Sequence, residues 1–221
     1  MKKNGKRLAA LLISLAVILG STIGCFAAQK VGGTEEKEAA ASFDNVTVID
    51  SGFLSGGLGI MVLEACRMAE RGYSAEEIKT GIEKMKEKMH TSFITENLDH
   101  LARAGQVSST LARLVRSLMV RPVLCMRNGK ITLNAIYFGP KENAWEKYID
   151  FEIRRMGTDV PNEIFVNYAG LSKLELDYIR AAIKRRRNIE HIYFQEVSPA
   201  TDANSGGGTF GVMYGISTGD T

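Results

Sequence analysis

Cysteine is scarce in this chain, with three in 221 residues, at positions 25, 66 and 125. That is too few for a disulfide framework, so Cys66 and Cys125 are expected as buried free thiols. Histidine is as scarce. His90, His100 and His191 fall on different predicted elements, and none has a second histidine or cysteine at metal-ligand spacing. Each is expected at a strand edge or on a helix surface, and no metal is expected. No Ser–His–Asp, Cys–His or paired-carboxylate arrangement can be assembled, which leaves no catalytic residue to name and argues against an enzyme. A charge excess is missing too. The formal net charge is +3, and the four basic residues before position 8 account for it, since without residues 1–28 it is −1. The remainder offers nucleic acid no electrostatic footprint. There is no internal repeat.

What is present begins with a leader. Lys2, Lys3, Lys6 and Arg7 precede an uncharged run from Leu8 to Ala28. This is the layout of a signal peptide, and the run is also long enough to serve as a membrane anchor. Lipidation at Cys25 is a third reading. The expected location is exported, at the cell surface or held in the membrane through this segment. Residues 29–43 read as a polar linker, and 44–217 as one domain of ordinary size.

Within that domain the stretch VTVIDSGFLSGGLGIMVLEACRMAERG, residues 46–72, is the organising feature. Val46, Val48 and Ile49 predict a short buried strand. Gly52, Gly56, Gly57 and Gly59 predict a loop, and Met61 to Met68 a helix stopped by Gly72. Strand, glycine loop and helix can aim backbone N–H groups at an anion; the glycines can equally serve close helix–strand packing. Asp50 stands where α/β folds place a functional carboxylate, but it is expected as a strand-end or loop-capping residue.

Further along, Ser74 to Glu77 is a capping box that opens a helix to about Met89. His90–Thr95 reads as a strand, Leu98 and Leu101 begin a short helix that stops at Ala104-Gly105, and Ser108 or Ser109 caps another. Asn128-Gly129 joins strands that begin at Pro122 and Ile131, a strong hairpin signal. Then come a helix over 143–156, a strand over 163–168, a helix over 171–187, a strand over 189–197 and a last strand over 209–216. The expectation is an α/β fold with a mixed sheet and flanking helices. Gly206, Gly208 and Gly211 spell G-x-G-x-x-G, but a strand follows them, which excludes a dinucleotide fingerprint. Lys184–Arg187 reads as a solvated helix end.

Several of these segments, in order, resemble the DegV family of bacterial fatty-acid-binding proteins. Val46–Ser51 with Ser55-Gly56-Gly57-Leu58-Gly59 looks like its VIDS…S-x-G-x-G motif. Gly72–Ile78 is similar to its G-x-S-x-E-E-I, Phe93–Gly105 to its F…L-x-x-L-x-x-G-G-R, and Arg121–Leu124 before Asn128–Ile131 to its K-P-I-L…G hairpin. Gly206–Gly211 is similar to its terminal H-x-G-P-G-x-x-G. The resemblance runs from Val46 to Ile216. It implies two α/β lobes that hold a long-chain fatty acid, with the protein presenting the acyl carboxylate to a separate kinase and needing no cofactor of its own.

The departures shape the expectation. The family's first third has no counterpart, and the leader stands in its place, so an incomplete first lobe is expected. The arginine of G-G-R falls at Gln106, the histidine of H-x-G-P-G at Asn204 and its proline at Gly207; a further arginine is lost near Gly139 and Pro140. The candidate ligand contacts carried over are Ser55, Gly56, Gly57, Gln106, Asn204, Ser205, Gly206 and Gly208. The functional expectation is non-catalytic binding of a long-chain fatty acid without the acyl-phosphate carrier role. The alternative is a ligand-free interaction remnant that forms a homodimer through an exposed edge at 46–50.

Overall fold

The computed structural model describes residues 46–96, 98–103, 105, 108–110, 112–113, 120–127, 130–157, 163–198 and 206–215. The leader, the linker, Gln106, Asn204, Ser205, the hairpin residues 128–129 and most of the helix expected after Ser108 lie outside them. The described residues fall into two compact units, one of 46–54 and 58–88, the other of 55–57 and 89–215.

Two helices dominate the first unit, α1 (Ser55–Arg71, whose first three residues count with the second unit) and α2 (Ala75–Lys86). Gly72 ends α1 in the left-handed conformation, φ 94°, with its N–H and that of Tyr73 bonded back to Ala69 and Met68 carbonyls. The Ser74–Glu77 capping box then starts α2 as expected, and Glu77's carboxyl is lowered by its bonds to Ser74. Ile78, Ile82 and Met85 form the buried stripe of α2. Gly81 permits close helix packing: a Cβ there would stand 2.6 Å from Met68 Cε.

Residues 46–50 correct the expected strand. They take no strand conformation, and Val46 is 44% exposed. β-branched composition is not enough, because an extended segment is held only by a neighbouring ladder. Local polar bonds hold this segment instead. Asp50 Oδ1 accepts from Gly52 N at 3.0 Å, capping the loop as expected, and Lys86 Nζ donates to the Asp50 carbonyl at 2.9 Å. The strand edge required for the dimer alternative is therefore not formed. The glycine loop is also shorter than expected: α1 already begins at Ser55, so Gly56, Gly57 and Gly59 are helical.

The second unit is a six-stranded mixed sheet. Its elements are β1 (Met89–Ile94), α3 (Asp99–Arg103), β2 (Val120–Arg127), β3 (Lys130–Phe138), α4 (Lys141–Arg155), β4 (Glu163–Ala169), α5 (Lys173–Arg186), β5 (His191–Glu196) and β6 (Thr209–Gly215). The strand order is β3-β2-β1-β6-β4-β5; only β4 and β5 are parallel, and α5 is their crossover. The last strand in sequence lies in the middle, paired with β1 on one side and β4 on the other.

Alternation along the strands sends one set of side chains to α4 and α5. Ile94, Val123, Ile164, Val166, Phe210, Val212 and Tyr214 meet Trp145, Tyr148, Ile149, Ile153, Ile179 and Ile183 in the main core. Trp145 and Tyr148 both pack edge-on against Phe210, at centroid distances of 5.3 and 5.4 Å. The buried Tyr148 hydroxyl has three partners: Ser92 Oγ at 2.8 Å, the Ser92 carbonyl at 3.0 Å, and the Val212 N–H at 3.0 Å. On the opposite face, Leu98, Leu101, Ala112, Val120 and Leu124 form a second cluster with Phe93.

The Lys184–Arg187 run differs from the expected solvated helix end. Arg185 and Arg186 both pair with Glu146 of α4, Arg186 also with Asp150, and Arg187 donates to the Gly157 carbonyl at 2.7 Å. Among the described residues neither Cys66 nor Cys125 is in a disulfide; Cys125 is buried and Cys66 partly so.

A second capping box opens α5. Its Glu175 carboxylate accepts from the Ser172 hydroxyl at 2.7 Å and from Lys141 Nζ at 2.5 Å. Lys141 first, then the Ser172 N–H and hydroxyl, hold the Glu175 carboxyl down at about 2. The same carboxylate raises Lys141. A depressed carboxyl stabilises the fold above its ordinary value of 4.5, and that contribution is lost as pH falls toward 2. The stability gap between the native chain and Lys141→Ala should thus be full at pH 6 and shrink steadily between pH 4.5 and 2. Thermal melts across that range check it; a gap that stays constant would refute the pairing.

Candidate functional site

The sheet face away from α4 and α5 carries the candidate site. Register places its side chains in rows. Thr91, Met213 and Phe165 are neighbours across β1, β6 and β4; Phe93, Gly211 and Asn167 form the next row; Thr209 and Ala169 follow. Phe165 lies 5.0 Å from Tyr193 of β5, ring centroid to centroid. The middle strand has no side chain at Gly211, which lets β1 pack closely against it between Phe93 and Asn167. A Cβ at Gly211 would stand 2.5 Å from the Ser92 carbonyl oxygen and 2.9 Å from Phe93 Cβ.

Residues 55–57 lie against this face. A Cβ on Gly56 would fall 2.4 Å from Asn167 Oδ1, 2.7 Å from Phe165 Cβ and 3.1 Å from Met213 Sδ, so only glycine lets the backbone come this close. Ser55 beside it has φ 48°, the one positive φ among described non-glycine residues. Such strain is costly and tends to sit where geometry is functional. Among the described residues no side chain caps this end of α1, and its first turn has no acidic residue.

Asn167 is the unusual residue here. It is 3% exposed, and among the described residues neither its Nδ2 nor its Oδ1 has a hydrogen-bond partner. Thr91 Oγ1 on the same face is also buried without one. Each such group costs about 1–3 kcal/mol in an empty site, and a ligand that supplies the partner removes the cost.

Gly206 and Gly208 stand at one end of the same face. Both have positive φ, 75° and 78°. Gly208 N donates to the Ala169 carbonyl at 2.9 Å, and a Cβ on Gly208 would meet the Glu96 side chain at 2.8 Å. Thr209 donates to Thr95 at 2.9 Å. Arg121 NH1 approaches the Glu96 carbonyl at 3.5 Å and NH2 its carboxylate at 4.0 Å. As Ala169 follows Asn167 on this face, the two glycine segments are roughly 7 Å apart along β4. The structure thus brings Ser55, Gly56 and Gly57 to the middle of the face and Gly206 and Gly208 to its end. Gln106, Asn204 and Ser205 lie outside the described residues. Asn167, Thr91 and Arg121 were not singled out from sequence; for Asn167 the signal was an amide inside the apolar strand run EIFVNYA.

His90 departs from its expected surface position. On the helix side of the sheet its Nε2 lies 2.8 Å from Glu152 Oε2, and Glu152 is fully buried on α4. The approach is off the hydrogen-bonding axis, so it is an electrostatic contact, and neither Glu152 oxygen has a hydrogen-bond partner among the described residues. Tyr214 packs on His90 at 5.1 Å, and burial, then Glu152, push its hydroxyl well above the usual tyrosine range. This cluster belongs to the core. Among the described residues no group of three His, Cys, Asp or Glu could hold a metal, and no helix is long and apolar enough to cross a membrane.

A family profile described as "Uncharacterised protein, DegV family" matches residues 25–216. A DegV domain-containing protein of Clostridium acetobutylicum is 32% identical over 119 residues, covering 52% of this chain and 43% of its own. Another, from Streptococcus pyogenes serotype M3, is 27% identical over 168 residues, covering 76% of this chain and 59% of its own. The chain thus spans about half the length of these curated relatives. Among solved structures, a DegV family protein from Eubacterium eligens loaded with heptadecanoic acid superposes with a TM-score of 0.71 at 16% identity, over 82% of this chain and 65% of that one. At these identities the solved structures bear on the fold, and they share its α/β architecture with a mixed sheet.

Proposed function

The chain belongs to the DegV family, and from that premise we propose that it binds the acyl chain of a long-chain fatty acid without catalysing a reaction. The observation that carries the reading is the face around Gly211: Phe93, Phe165 and Met213 supply apolar contact, and a buried Asn167 lacks a partner among the described residues. An acyl ligand needs an apolar bed with few, well-placed polar groups, and this face has that composition. The Eubacterium eligens relative carrying heptadecanoic acid supports the same ligand class.

The binding role is read as separate from acyl-phosphate presentation. Gln106 and Asn204 stand where the family has an arginine and a histidine, and an uncharged amide does not compensate a buried anion as a cation does. Export through residues 1–28 belongs to the same proposal and would remove the protein from a cytoplasmic kinase.

Purification of the full chain followed by native mass spectrometry and lipid extraction tests this. The expected outcome is one acyl lipid per chain, or uptake of one palmitate or oleate on addition. A clean apo-protein that ignores both lipids would overturn the reading.

A further inference from the structure

We propose that Asn167 anchors the head of the bound lipid, and that it selects an uncharged head that both donates and accepts a hydrogen bond: a primary amide or a protonated carboxylic acid. The inference rests on the acyl-binding reading above and names the chemistry of that site.

In the Asn167 carboxamide Nδ2 donates and Oδ1 accepts, side by side on one edge. Both are unpartnered among the described residues, in a side chain only 3% exposed. A primary amide or an un-ionised acid completes the two bonds at once, as a cyclic pair. A carboxylate can accept from Nδ2, but it has no proton for Oδ1, and it brings a charge that needs compensation when buried.

Among the described residues no cation stands next to Asn167 on the sheet. Its neighbours in register on this face are Gly211 and Gln195, and along β4 they are Phe165 and Ala169, all uncharged. The backbone at Gly56 lies against Oδ1 and contributes peptide dipoles rather than an ion. The apolar side chains lie on either side: Phe93 across Gly211, Phe165 and Met213 in the adjoining row.

Equilibrium dialysis of the full chain with oleamide, oleic acid and methyl oleate at about pH 8 reads this directly, since a carboxylic acid is ionised there. Oleamide should bind about tenfold or more tightly than oleate, and more tightly than methyl oleate, which only accepts. Asn167→Leu should lose about tenfold in oleamide affinity while keeping or raising the melting temperature, because it removes two unsatisfied polar groups. Asn167→Ser, too short to reach the head, should show the same loss and serves if the leucine variant does not fold. Oleate binding tighter than oleamide, or oleamide affinity unchanged in both variants, would overturn the anchor and leave acyl binding standing. Refusal of all three lipids would instead overturn the acyl-binding reading itself.

Discussion

His90→Leu is expected to lower unfolding stability by roughly 1–3 kcal/mol, the cost of taking the polar neighbour from a buried polar group. The mutation takes away the contact at 2.8 Å and leaves the Glu152 carboxyl fully buried, with Tyr214 and Tyr148 as its polar neighbours. Neither tyrosine replaces the imidazole, since neither is bonded to Glu152; the Tyr148 hydroxyl is already engaged by Ser92 and Val212. The double variant His90→Leu, Glu152→Leu should recover most of the loss, because an apolar pair of similar volume fits the core between β1 and α4. Urea unfolding of the single and double variants gives the coupling. A single variant within about 1 kcal/mol of the native chain would show that the contact contributes little.

Gly56→Val should destabilise by roughly 1–3 kcal/mol and abolish lipid uptake together. The new Cβ would overlap Asn167 Oδ1 and Phe165 Cβ. The amide can rotate, but Phe165 Cβ is fixed to the strand backbone, so the 55–57 segment must move off the face. Gly207→Ala is the matched control: a Cβ there meets nothing within 4 Å, and the residue is exposed. Denaturant melts and lipid occupancy of both variants decide the matter. A valine variant with native occupancy would show that the close approach of residue 56 has no part in binding.

The amino-acid sequence by itself determined the elements whose cause is local. The Ser74 capping box, the Gly72 stop, the helices at 141–155 and 173–186 and the strands from 89 to 215 lie within a few residues of where periodicity puts them. Capping, helical repeat and strand alternation act between residues close in the chain, so they are legible in order. The motif order likewise pointed to the family and to the glycine segments at 55–57 and 206–208.

Tertiary structure decided the rest, because it depends on which distant residues become neighbours. The run at 46–50 has strand composition but no ladder, and its local turn bonds prevail. Gly56 and Gly57 read as loop residues, yet they are helical, and contact with β4 gives Gly56 its reason. β6 enters the middle of the sheet although it comes last in the chain. That placement sets Gly211 between Phe93 and Asn167, and Tyr214 beside His90. For an asparagine in an apolar strand and a histidine before a threonine, the linear chain does not say which residues will stand beside them; strand register and helix packing decide that.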